Sequence, residues 1–187
     1  MSLVVQKFDK LLETGINDFN MGTFVSEKEE LKNMKEMCEL LKEFDVSTEV
    51  LDRIGHILEF PIPEVIDLSF YLLEKFQNNL YLQIQVVTMI RVIVCDTDQY
   101  IPYEKYYQFN KTIIESLRIV EACIVPDDEN EQVMLSRYVE DCIVILYKFQ
   151  LNHELYNKQD IDIIKKMYTM YNEEIYEVKM IYENLMK

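Results

Sequence analysis

Apolar residues recur every three or four positions along most of the chain, the spacing of one helix face. Leu3, Val4, Phe8, Leu11 and Leu12 predict a short amphipathic segment over 3–12. A looser stretch follows from Gly15 to Val25, with Asn17, Asp18, Asn20 and Gly22 as breakers. Ser26 then opens a helix, with Glu29 three residues on in a capping-box arrangement, and Leu31, Met34, Cys38, Leu41 and Phe44 line its face. Asp45 to Thr48 breaks that helix and caps the next, which Val50, Leu51, Ile54, Ile57 and Leu58 carry to Phe60. Pro61 and Pro63 impose a stop and a restart, because proline suits a helix's first turn and not its interior. Residues 62–77 hold Val65, Ile66, Phe70, Leu73 and Phe76 on one side and Leu68 and Tyr71 on the other, so this helix is expected to be buried on more than one face.

Residues 80–95 can be read two ways. Val86 to Val94 is rich in β-branched side chains and resembles a buried strand. Against this, Gln85, Thr88 and Arg91 fall every third residue, a polar stripe of helical spacing, and the run is too long for an ordinary strand. A central helix is therefore expected. After Pro102 a long helix is predicted over about Tyr103 to Ile124, then a loop at 126–130. Met134, Tyr138, Cys142, Ile145 and Phe149 mark another helix, Asn152, His153 and Asn157 a turn, and two last helices span about 159–171 and 173–186. The expected fold is all-α, with eight or nine helices in an α–α superhelix or a compact bundle.

Composition sharpens this. Three glycines and four prolines in 187 residues leave few positions for hairpin turns or phosphate-cradling loops. The connections are short, so 1–187 is expected to form one domain, with 1–25 a loosely attached N-terminal segment. Residues 1–14 carry Lys7, Asp9, Lys10 and Glu13 among their apolar positions, unlike a signal peptide, and charged or polar residues break every long apolar stretch. An intracellular protein, cytoplasmic or nuclear and not membrane-bound, is expected. Cys38, Cys95, Cys123 and Cys142 lie far apart and read as small buried hydrophobes. The Asn110-Lys111-Thr112 sequon falls inside a predicted helix and reads as chance.

The net charge of −15 excludes nonspecific nucleic-acid binding, which needs a basic surface. From Cys95 to Asp141, eleven acidic residues against four basic ones leave −7. Asp96, Asp98, Glu104, Glu115, Asp127, Asp128, Glu129 and Glu131 are accordingly the candidate partner-binding residues. No catalytic, cofactor or metal constellation accompanies them. His153-Glu154 starts like an HExxH zinc helix, but position 157 is Asn; Asp96-Thr97-Asp98 lacks the glycine and closing glutamate of a calcium loop. Asp67 and Asp141 lie in mostly apolar helices and are expected on helix surfaces, and His56 is expected to be half-buried.

Val46–Asn79, with its Phe60-Pro61-Ile62-Pro63-Glu64-Val65 turn, resembles one unit of the armadillo/HEAT-type helical repeats. Leu40 to Leu51, followed by Ile54-Gly55, is similar to the N-terminal helical bundle of transcription elongation factors. The first resemblance implies a stacked helical architecture that binds protein partners, the second a module that docks short motifs of disordered partners. Both agree with a non-enzymatic adaptor for a protein or peptide, a basic one on grounds of charge. The alternative is a structural subunit of a homo- or hetero-oligomeric assembly.

Overall fold

The computed structural model describes residues 2–17, 24–58, 62–96, 103–122, 129–148, 157–171 and 176–186. Among them there are nine helices and no strand: α1 (Leu3–Gly15), α2 (Glu27–Lys42), α3 (Ser47–Leu58), α4 (Pro63–Lys75), α5 (Leu80–Asp96), α6 (Tyr103–Ala122), α7 (Glu129–Lys148), α8 (Lys158–Tyr171) and α9 (Tyr176–Leu185). The chain is all-α, and 80–96 is a helix. Two compact units divide at Leu72/Leu73, a boundary inside α4.

The first unit, Met1–Leu72, begins with α1. The Ser2 hydroxyl accepts from the Val5 amide at 3.2 Å and caps that helix. Val5 and Phe8 are buried as α1 packs on α2, and the Phe8 ring meets Phe44 edge-on with centroids 5.8 Å apart. Arg53 of α3 binds both oxygens of Asp9, through Nε at 2.7 Å and Nη2 at 3.1 Å, while its guanidinium lies 5.7 Å from the centre of the Phe44 ring. Ser26 caps α2 by accepting from the Glu29 amide at 3.3 Å, the half of the predicted capping box that fixes the helix start. Glu30 accepts from the Asn17 amide and side chain, both at 2.8 Å, which ties the end of α1 to the start of α2. Pro63 is the first residue of α4, where a missing N–H costs nothing. Leu68, Leu72 and Val65 are fully buried on this helix, whereas Tyr71 is exposed and donates its hydroxyl to the Lys42 carbonyl at 2.9 Å.

The second unit, Leu73–Lys187, is built on α5 and α7, whose mutual packing is the most extensive of any helix pair. Asn79 caps α5 by accepting from the Leu82 amide at 3.0 Å. Leu82, Val86, Val87, Ile90 and Ile93 point into the core, while Gln85 and Thr88 are exposed and Arg91 is half-exposed, as their spacing predicts. Helix α6 packs on α7 and α8, and α7 also on α8 and α9. Asn157 and Asp160 cap α8 reciprocally: Asn157 Oδ1 accepts from the Asp160 amide at 3.0 Å and Asp160 Oδ2 from the Asn157 amide at 3.1 Å. The Tyr168 and Tyr182 rings stack with centroids 4.0 Å apart. No helix among the described residues is long and apolar enough to cross a membrane.

Candidate functional site

The second unit carries a cleft of about 420 Å³ where the end of α4 meets α5 and α6. Leu73 and Ile119 give it an apolar patch, Gln77, Gln108 and Thr112 neutral polar walls, and Glu74, Lys111 and Glu115 its charges. Gln83 and Ser116 form its floor, each only 1% exposed.

These floor residues belong to a buried hydrogen-bond relay whose proton order follows from its end. The Gln83 side-chain amide lies 3.0 Å from the Leu73 carbonyl and 3.3 Å from that of Phe76, closing the C-terminal turn of α4. Two carbonyls can only accept, so the NH₂ end of Gln83 faces them and Oε1 faces Ser116. The Ser116 hydroxyl must then donate to Gln83 Oε1, at 2.7 Å. Its oxygen is left to accept, and the fully buried Tyr138 hydroxyl, in close contact with it, is the donor. The relay runs from Tyr138 to Ser116 to Gln83 to the α4 carbonyls and joins α7, α6, α5 and α4 within the unit. Cys142 hydrogen-bonds the same tyrosine; burial, with Asp141 nearby, pushes its thiol well above the usual range and keeps it protonated.

Around the rim, Glu115 is exposed, and Arg118 pairs with its Oε1 while also binding Asp160 at 2.8 Å. Glu74 is exposed and has no ion-pair partner among the described residues. Two carboxylates and one ammonium leave the lining with a single net negative charge.

A second groove, of about 450 Å³, lies between α5 and α7. Asp141 sits in its wall, only 3% exposed, with Oδ1 held by Arg91 Nη1 at 2.9 Å and Oδ2 by the Thr88 hydroxyl at 2.7 Å. The surface placement expected for Asp141 is thus incorrect: cross-helix partners allow the carboxylate to be buried. Burial raises its pKa, against the lowering effects of the Thr88 hydrogen bond and the Arg91 and Arg137 charges. Arg137 is exposed beside it, so two guanidinium groups face two carboxylates, Glu140 and Asp141, and the groove is neutral.

Of the sequence-predicted contact residues, Glu115 lines the cleft and Glu129 is exposed at the first position of α7, where a carboxylate suits the helix dipole. Asp96 ends α5, Glu104 is the second residue of α6 and Glu131 the third of α7; their side chains lie outside the described residues, as do Asp98, Asp127 and Asp128 altogether. The predicted loop at 126–130 likewise lies outside them up to Asp128, and so do the Cys95 side chain and Cys123. Cys38 is buried, and burial pushes its thiol up to about 12. Asp67 is exposed as expected. His56 is exposed rather than half-buried, because Ile54 and Ile57 take the inward phase of α3. Asn110 is 2% exposed, so the amide nitrogen that a glycan would need is enclosed, and neither of its polar side-chain atoms has a hydrogen-bond partner among the described residues. Among the described residues no group of three His, Cys, Asp or Glu side chains is placed to hold a metal ion.

Sequence reasoning missed Gln83, Ser116 and Glu74. A signal exists for the first two: Gln83 shares the inward phase of Val86, Val87 and Ile90, and Ser116 that of Ile113, Leu117 and Val120. A polar residue on a buried phase calls for a buried partner. The chain matches no protein-family model, no curated protein and no solved structure.

Proposed function

We propose that the chain is a non-enzymatic adaptor and that its second unit binds a peptide segment of a protein partner in the α4–α5–α6 cleft. The carrying observation is the cleft itself: an open, mixed polar and apolar concavity whose floor is held in place by buried hydrogen bonds. Ligand sites combine an apolar wall with a few well-placed polar groups, and Leu73 and Ile119 beside Gln77, Gln108 and Thr112 supply that combination. Amide and hydroxyl side chains match the alternating donors and acceptors of a peptide main chain. A pre-ordered floor also lowers the entropic cost of binding.

The net charge of −15 favours a basic partner, with the acidic segment 95–141 steering its approach. Neither the helical-repeat nor the elongation-factor resemblance contributes to this assignment. A structural-subunit reading draws on one different feature, the exposed stripe of α5, where Tyr81 and Val92 are 53% and 42% exposed on the same face as Gln85 and Thr88.

Selection of displayed random peptides on the full chain tests the proposal. Enrichment of lysine- and arginine-bearing sequences is expected, with affinity falling as salt rises. Binding should be lost in a Glu74→Lys, Glu115→Lys variant and retained in Tyr81→Ala, Val92→Ala. Enriched peptides that bind all three forms alike would refute the cleft as the site. Loss in the α5 variant alone would favour the subunit reading.

A further inference from the structure

From the proton order of the buried relay, we infer that the group entering the cleft is a hydrogen-bond-donating cation: the ammonium of a lysine side chain or the guanidinium of an arginine. The inference rests on the cleft being the binding site and adds the chemistry of what fills it.

Every proton on the floor is already committed. The Gln83 NH₂ is spent on the carbonyls of Leu73 and Phe76, the Ser116 proton on Gln83 Oε1, and the Tyr138 proton on Ser116. What Gln83 and Ser116 can still offer is lone pairs, since an amide oxygen and a hydroxyl oxygen each accept more than one hydrogen bond. A carboxylate or carbonyl pushed against this floor meets only acceptors. An ammonium or guanidinium, which carries donors and no acceptor, meets its complement.

The rim agrees. Among the described residues Glu74 has no ion-pair partner, and Arg118 engages Glu115 through Oε1, leaving Oε2 without one. Both carboxylates border the cleft, so a cation reaching the floor passes Glu74 and the Oε2 side of the Arg118-paired Glu115. Ile119, partly exposed over the buried Leu73, is apolar surface on which the methylene stem of a lysine or arginine can lie. Lys111 is the one cation among the lining residues, and a long flexible stem lets it swing toward solvent when another cation enters. The cleft volume of about 420 Å³ leaves room for such a side chain and the adjoining main chain.

Amide NMR of the ¹⁵N-labelled full chain, titrated with Nα-acetyl-lysine methylamide, reads this directly. Its norleucine analogue keeps the stem and removes the charge; its glutamate analogue reverses the charge. Saturable shifts of the Gln83 side-chain amide and of the Ser116 and Thr112 backbone amides are expected with the lysine compound, with little movement for the other two. Glu74→Gln, an exposed substitution that leaves the relay intact, should weaken the lysine response several-fold. Equal shifts from the norleucine or glutamate compound would overturn the cation assignment while leaving the cleft as a binding site. A silent lysine titration beside a selected peptide that does shift these resonances would overturn it in the same way. If neither the small compounds nor any selected peptide moves them, the cleft reading falls as well.

Discussion

Tyr138→Phe is expected to be the milder of two substitutions that interrupt the buried relay, although it alters the larger side chain. Deleting the Tyr138 hydroxyl leaves the Ser116 proton on Gln83 and strands only the weak S–H donor of Cys142, which hydrogen-bonds the tyrosine. The cost should be that of one ordinary hydrogen bond, about 1 kcal/mol. Ser116→Ala is different. It leaves Gln83 Oε1 unpaired and the Tyr138 hydroxyl with only the weak Cys142 sulfur in place of Ser116, and at roughly 1–3 kcal/mol for a buried unsatisfied group the loss should be about 2–3 kcal/mol. In a Tyr138→Phe background the stranded hydroxyl proton no longer exists, so Ser116→Ala should cost at least about 1 kcal/mol less there. Urea unfolding followed by circular dichroism, with the slopes checked for equality, measures all four corners of this cycle. A Tyr138→Phe loss equal to or above that of Ser116→Ala would refute the deduced proton order, and with it the acceptor-only floor.

Three further expectations concern other residues. Asp141 has a folded-state pKa raised by burial, so the folded chain binds its proton more tightly than the unfolded chain; this contribution is fully present at low pH and is lost as pH rises through the raised value. The stability of the wild type relative to Asp141→Asn should therefore increase as pH is lowered from neutral through that window, and a difference that shrinks instead would contradict the assignment. Cys38 and Cys142, buried and with raised thiol pKa values, should stay unmodified by iodoacetamide in the native protein at mildly alkaline pH and react only after denaturation, as peptide mass mapping would show. Gly55 lies inside α3 with no atom within 4 Å of where a Cβ would stand, so Gly55→Ala should stabilise the protein by about 1 kcal/mol; a lowered melting temperature would mean that the bare backbone there has another use.

The features legible in the sequence are those decided within a few residues of themselves. The Ser26 cap, the Pro63 start of α4 and the phase of α3 are local events. So is the helical identity of α5, which Gln85, Thr88 and Arg91 betray by their spacing despite the β-branched run around them. Asp141 shows where such reasoning stops. Its burial depends on Thr88 and Arg91, which lie 53 and 50 residues away in the chain, so nothing beside it announces that its charge is met. The same holds for the cleft floor: Ser116 and Gln83 are 33 residues apart, and neither looks exceptional next to its neighbours. The acidic bias of 95–141 is visible by counting, yet counting cannot say which carboxylates border a concavity. Glu115 does, and so does Glu74, which lies outside that segment.

The most direct test of the binding account is to find where a bound peptide sits. A selected lysine-containing peptide carrying a photoreactive group next to its lysine would be cross-linked to the full chain and the adduct located by mass spectrometry. Adducts within residues 73–77 at the end of α4 and 108–119 of α6, suppressed by Glu74→Lys, are the predicted result. Adducts concentrated on the exposed face of α5 or on helices of the first unit, and unaffected by that substitution, would contradict it.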